Sequence, residues 1–260
     1  MIQEAVAQTL RPAVHTICYG DPGGGKSTFA CTWPKPTLAF IFDAYGKDGP
    51  YLRWARANGA TVEDGFTEWG TPTKSLDAGA RGYIRLEYYN DLAPDARSWE
   101  LFEWRMKSRG FFDEGWATLA IDSVTFMELA ARMYARHVVN PHTKEPRQWF
   151  GYSTDALEYA LLVQLQAFPA NLLVLAHIDA NKDEVLGSYV RQLAAPGRLT
   201  SRNELAAGYS ELYRAYVVKD KDQESYVLQT RRDNLFNCAT QIDAPDPSWQ
   251  DYEQLWANFK

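Results

Sequence analysis

Apolar residues fall along this chain in short continuous runs. Residues 14–19, 37–42, 116–121 and 171–176 are dominated by Val, Ile, Leu, Ala and aromatic side chains. Runs of this length, bounded by Gly, Pro or an acid, predict strands buried on both faces. Residues 82–89 alternate apolar and polar positions and predict a further strand. The stretches between them favour helices over 27–33, stopped by Pro34 and Pro36, over 50–58, closed by Gly59, and over 95–108, closed by Gly110. Helices are also predicted over 124–138 and 153–167. Two alternating runs, 212–219 and 224–230, flank Asp220-Lys221-Asp222-Gln223 and predict a β-hairpin.

The remaining segments carry weaker patterns. Residues 1–12 predict an N-terminal arm. Residues 59–82 are rich in Gly, Thr and Pro and predict an irregular insertion. Residues 139–152 predict a polar, basic loop, 179–203 another loop, and 241–260 a tail with a short helix near 248–258. No internal repeat and no long linker divide the chain. The expectation is one α/β domain over 1–260: a mostly parallel sheet sandwiched by helices, with a C-terminal β-hairpin. Ligands of such sheets bind at the carboxyl ends of the strands.

Composition narrows the picture only slightly. A chain of 260 residues is long enough to bury a sizeable core. A net charge of −6 argues against a surface coated in basic residues, but leaves room for local Lys/Arg loops. Nine Trp and fifteen Tyr suit a core, an interface or stacked bases alike. Cys18, Cys31 and Cys238 show no metal-ligand spacing and read as small buried hydrophobes. No leader pattern and no apolar run of membrane length is present, so a cytoplasmic location is expected.

The chemistry concentrates at strand ends. Gly20-Asp21-Pro22-Gly23-Gly24-Gly25-Lys26-Ser27-Thr28 fits G-x-x-x-x-G-K-[ST] with no mismatch. It follows a predicted strand and opens a predicted helix, as a phosphate-wrapping loop must. The glycines let backbone N–H groups close around an anion. Lys26 reaches the β- and γ-phosphates of a bound ATP, and the Ser27 hydroxyl coordinates Mg²⁺. Asp122 ends the apolar run 116–121 and is the candidate second holder of that Mg²⁺. An Asp in that place also serves as a cap for the helix that follows.

Ala120-Ile121-Asp122-Ser123-Val124 resembles the strand-end motif of RecA-type recombination ATPases. Phe40-Ile41-Phe42-Asp43-Ala44 with Asp48-Gly49-Pro50-Tyr51 is similar to the segment after the second core strand, and 171–177 to the strand that ends in a polar sensor. Over roughly 14–235 the chain resembles compact, phage-encoded RecA-fold ATPases, some of them recombinase-like or single-strand annealing proteins. The resemblance implies a RecA-like core that binds and hydrolyses ATP with Mg²⁺. It makes His177 a γ-phosphate sensor, and Arg231 and Arg232 candidates for contacting nucleotide on a neighbouring subunit. It also implies a homo-oligomeric ring or filament, with ATP at subunit interfaces.

The resemblance further places two loops near single-stranded DNA. One carries His142, Lys144, Arg147 and Trp149; the other carries Lys182, Arg191, Arg198 and Arg202. One departure stands out. Where the family has its water-activating Glu, this chain reads Asp43-Ala44-Tyr45. Tyr45 is no carboxylate base, which leaves Asp43 or Asp48 to orient water. Other readings stay open at this point: a helicase or DNA-packaging motor, a small-molecule P-loop kinase, or a nucleotide-dependent switch with little turnover.

Overall fold

The computed structural model describes residues 11–44, 46–93, 97–182, 189–193, 204–221 and 223–258. Strand β1 (His15–Gly20) leads into a short helix, α1 (Lys26–Ala30), then β2 (Thr37–Ile41) and α2 (Gly49–Asn58). An antiparallel pair, β3 (Thr61–Phe66) and β4 (Pro72–Asp77), precedes β5 (Tyr83–Tyr88) and α3 (Ser98–Ser108). Strand β6 (Thr118–Asp122) feeds α4 (Val124–Tyr134), α5 (Pro146–Tyr159) and β7 (Asn171–Lys182). Then come β8 (Tyr189–Leu193), α6 (Glu204–Ala207), β9 (Glu211–Asp220), β10 (Gln223–Gln229), β11 (Ser248–Trp249) and α7 (Tyr252–Leu255).

The parallel strands lie in the order β9-β1-β7-β6-β2-β5. Antiparallel strands extend both edges, β10 and β11 beyond β9, and β4 and β3 beyond β5. This is the mostly parallel α/β sheet sandwiched by helices, with a C-terminal hairpin, that the sequence predicts. The apolar runs explain it. Leu38, Phe40 and Phe42 face one side of the sheet and Ala39 and Ile41 the other, and both sides are buried. The first face packs on Trp99, Phe102, Met127 and Leu157 of α3, α4 and α5. The second packs on Phe29, Tyr51 and Ala55 of α1 and α2, and on Tyr252 and Leu255 of α7. Among the described residues, no helix is long and apolar enough to cross a membrane.

Four segments differ from expectation. Residues 59–82 are not irregular: they hold the β3–β4 hairpin. Strand β3 is exposed almost throughout, so its ladder rather than burial holds it, and no apolar period marks it. Residues 139–152 are only partly loop. Helix α5 begins at Pro146, a residue that the first helical turn accepts because no N–H is needed there. Residues 179–203 include the end of β7 paired antiparallel with β8. In the tail, Ser248–Trp249 is a strand and the helix is confined to Tyr252–Leu255, capped by Asp251. Of the N-terminal arm, residues 1–10 lie outside the described residues.

Candidate nucleotide-binding site

The loop after β1 is built by backbone constraints. Gly20 pairs so closely with β9 that a Cβ there would lie 2.3 Å from the Ala215 carbonyl oxygen. Gly25, which precedes α1, has φ 90°, a region unfavourable to other residues. Lys26 is buried, and its ammonium donates to the carbonyls of Gly20 (2.8 Å) and Asp21 (3.0 Å). Burial lowers its pKa, countered by the nearby negative groups, Asp122 and Asp43 among them. Thr28 lines the same cleft.

Asp122 lies across from this loop at the end of β6, 4% exposed. The nearby Ser27 hydroxyl favours its ionised form, and the buried Tyr51 hydroxyl donates to Oδ2 at 3.2 Å. Burial first, and the Asp43 carboxylate second, push Asp122 up to about 6. Asp43 follows β2, where Ser123 Oγ donates to its Oδ1 at 2.5 Å. His177 stands in β7 opposite Gly20, with its backbone N–H on Thr125 Oγ1 (3.2 Å) and its ring edge-on to Phe126. Burial, then the Lys26 charge, lowers its pKa and keeps the imidazole neutral at pH 7. Lys26, Ser27, Asp43, Asp122 and His177 thus share one cleft of about 630 Å³.

The far wall of the cleft comes from the hairpin and the tail. Tyr226 of β10 and Trp249 of β11 line it, 43% and 57% exposed. Lys47 lies near enough to His177 to oppose its protonation. Nothing in the sequence singles out Lys47, Tyr226, Trp249 or Gln250, because pairing and packing between distant segments bring them here, and Tyr51 is marked only as the end of the Asp48-Gly49-Pro50-Tyr51 segment. Ser123 had a signal, its position next to Asp122. Asp48, the other carboxylate considered for water, accepts from Tyr88 at 2.7 Å instead. Tyr45 lies outside the described residues.

The donor set fits a magnesium site. A hydroxyl and one carboxylate stand together, and a second carboxylate lies close enough to disfavour ionisation of the first. Among the described residues, no cluster of three or more His, Cys, Asp or Glu is arranged to hold a metal by itself. Mg²⁺ characteristically takes one or two carboxylates and completes its shell with substrate phosphates and water.

The residues expected near DNA are distributed as follows. Helices α4 and α5 run antiparallel, joined by side-chain contacts Ser153–Glu128, Arg132–Phe150 and Arg136–Trp149. The chain beyond α5 reaches His15, at the start of β1, through Gln166 and Phe168. A helical path of some twenty residues spans about 30 Å. The turn at 140–145 therefore lies toward the other end of the sheet, where the cleft is. Lys144 and Arg147 are exposed there, whereas Trp149 is half-buried with the Arg136 guanidinium 5.3 Å from its ring centre. Lys182 and Arg191 fall on β7 and β8 where these extend past His177. Arg198 and Arg202 lie outside the described residues. Arg231 pairs with Asp243 at 2.9 Å. Arg232 is exposed beyond β10 and does not line the cleft of its own chain.

No protein-family model matches the sequence, and no curated protein is similar to it. Among solved structures, the chain is similar to a KaiC-like protein from the hyperthermophilic archaeon Pyrococcus horikoshii OT3. The identity is 11%, over 88% of this chain and 82% of that one, with a TM-score of 0.39. It is also similar to the flagellar accessory protein FlaH from Methanocaldococcus jannaschii, at 10% identity over 84% and 78% of the two chains, with a TM-score of 0.38.

Proposed function

We propose that this chain binds and hydrolyses ATP with Mg²⁺, and acts on single-stranded DNA in recombination or annealing of the phage RecA type. The observation that carries the nucleotide reading is the single cleft in which the Ser27 hydroxyl and the Asp122 carboxylate stand beside the phosphate loop. It brings the hydroxyl and the carboxylate of two distant motifs to one point. Residues 20–28 wrap the phosphates, and Lys26 exchanges its two carbonyl partners for phosphate oxygens. Ser27 and Asp122 hold Mg²⁺, which when bound neutralises phosphate charge. Tyr226 and Trp249 offer exposed rings to the base. His177, neutral, donates or accepts one hydrogen bond at the γ-phosphate end.

Support for DNA comes from placement. The α4–α5 turn with Lys144 and Arg147, and the β7–β8 hairpin with Lys182 and Arg191, both leave the body at the end that holds the cleft. A ring or filament would put nucleotide between copies and bring Arg232 of one copy towards the next. The test is ATP turnover with and without single-stranded DNA, alongside the mass of the assembly. Turnover that rises with DNA supports the reading. Turnover indifferent to DNA, with no DNA retained, sinks the DNA half, and absence of MgATP binding sinks the whole.

One observation favours a second reading, a nucleotide-dependent switch with little turnover. Asp43 already accepts the Ser123 hydroxyl, and Asp48 accepts that of Tyr88. Asp48 does not line the cleft, and Asp43, which does, shares its carboxylate with Ser123. Tight MgATP binding with negligible phosphate release would select it.

A further inference from the structure

Gln250 follows β11 and is buried, 9% exposed. Its Nε2 donates to the Gly24 carbonyl at 2.6 Å and to the Val227 carbonyl at 3.2 Å. Both partners are acceptors, so only the amide nitrogen can face them, which fixes the orientation of the amide. The buried Oε1 accepts no hydrogen bond among the described residues. It is turned towards Gly25, where an added Cβ would meet it at 2.2 Å and Tyr226 Cδ1 at 2.7 Å. The same segment grips the far end of α1: the Tyr252 N–H donates to Thr32 Oγ1 at 3.0 Å, and the Tyr252 ring packs 5.0 Å from Trp33.

We propose that Gln250 is a positioning residue for the polyphosphate of a bound nucleotide, acting through the Gly24–Gly25 peptide. The idea rests on the nucleotide reading above. That peptide is not among the cis bonds of the chain. In a planar trans peptide the C=O and the N–H point in opposite directions. Gln250 holds the Gly24 oxygen outward and so turns the Gly25 N–H away from itself, into the loop. The three glycines 23–25 have no Cβ to fix peptide orientation, so this segment rotates at little steric cost unless something holds it. A buried donor from the other end of the chain does so before any phosphate arrives. Pre-organised donors of this kind bind an anion without reorganising.

The test compares wild type with Gln250→Met, which keeps the shape and removes the donor, and with Gln250→Glu, which turns a carboxylate on two carbonyls. Dissociation constants for MgATP and for inorganic tripolyphosphate are measured at 25 °C on protein shown folded by circular dichroism. Gln250→Met is expected to bind both ligands about 10-fold more weakly, the scale of one lost hydrogen bond, and Gln250→Glu more weakly still. In ¹⁵N-labelled protein the Gly25 amide resonance should move on adding tripolyphosphate in wild type, and much less in Gln250→Met. A purely structural role lowers the melting temperature without moving these constants, and constants within twofold of wild type overturn the proposal. If Gln250→Met does not fold, Gln250→Asn gives the same reading, since its shorter amide stops short of Gly24. Wild type that binds neither ligand overturns the nucleotide reading and this proposal together. Wild type that binds, and loses binding in Lys26→Ala but not in the Gln250 variants, overturns this proposal alone.

Discussion

Glu87 and Asp122 are buried carboxylates on strands that flank β2, one register step apart. Glu87 lies beside Phe40 and Asp122 beside Ile41, so the pleat sends them to opposite faces of the sheet. Their surroundings differ. Glu87 receives Arg105 through Nε (3.1 Å) and Nη2 (3.0 Å), and Tyr89 through its hydroxyl (2.9 Å). Arg105 continues to Glu114 at 3.0 Å and lies 5.2 Å from the Phe111 ring centre. Every group in that network has a partner of complementary charge or polarity. Asp122 receives the Tyr51 hydroxyl, has the Ser27 hydroxyl nearby, and has a second carboxylate, Asp43, pressing on it. A matched buried charge is architecture, whereas one left next to its own kind suits the cation of the proposed function.

The largest expected effect falls on the matched network. Arg105→Ala strips both guanidinium hydrogen bonds from buried Glu87, leaving it the Tyr89 hydroxyl and the looser Arg85 contact at 3.5 Å, and should cost about 3 kcal/mol in urea unfolding. The folded fraction should bind MgATP as wild type does. A loss below about 1 kcal/mol would mean that solvent reaches Glu87, and the contrast between the two carboxylates would fail.

Lys26→Ala comes next. It should weaken MgATP binding by roughly 100-fold, or about 2.7 kcal/mol, while leaving unfolding nearly unchanged. The hydrogen bonds of the ammonium go to carbonyls, and burial already works against its charge. Normal ATP binding in this variant would remove the loop from the site.

Asp122→Asn should move stability in the opposite direction to Arg105→Ala. The folded protein holds this carboxyl protonated up to about 6, against 3.8 without burial, so its ionised form burdens the fold above that pH. At pH 8 the variant should be about 1–2 kcal/mol more stable than wild type, and should lose most of the Mg²⁺ dependence of nucleotide binding. Glu87→Gln should instead destabilise. Two losses of similar size would show that both carboxylates are structural.

How much of this was legible in the sequence follows from range. The phosphate loop and Asp122 announce themselves because each is a contiguous pattern tied to one strand end. The apolar runs placed the parallel strands within a residue or two where both faces are buried, but not the end of β7, which runs on to Lys182 to pair with β8. What escaped depends on pairing. The strand at 61–66 has no buried face to imprint a period, and exists because β4 pairs with it. Trp249 and Gln250 reach the cleft only because β11 pairs with β10, more than two hundred residues after the loop they touch. The Arg105 partnership with Glu87 bridges a helix and a strand, and nothing local marks it.

The smallest effect concerns His177, and tests whether the comparison extends to a base. Here burial, Lys26 and Lys47 oppose the charged form, while Asp43 favours it. The folded pKa therefore lies below the 6.5 of a free imidazole. As pH falls through 6.5 the unfolded chain takes up a proton that the folded chain refuses, so wild type loses stability until the folded pKa is passed. His177→Gln removes this contribution, whereas the opposite trend from Asp122 stays in both proteins. The difference between the two urea-unfolding profiles, measured from pH 8 to pH 5, should be level above pH 7 and shift in favour of the variant below 6.5. Bound MgATP brings negative charge to the same cleft and should shrink that difference. A difference that is flat throughout, or that runs the other way, would place His177 in a neutral setting, away from the cations of the phosphate site.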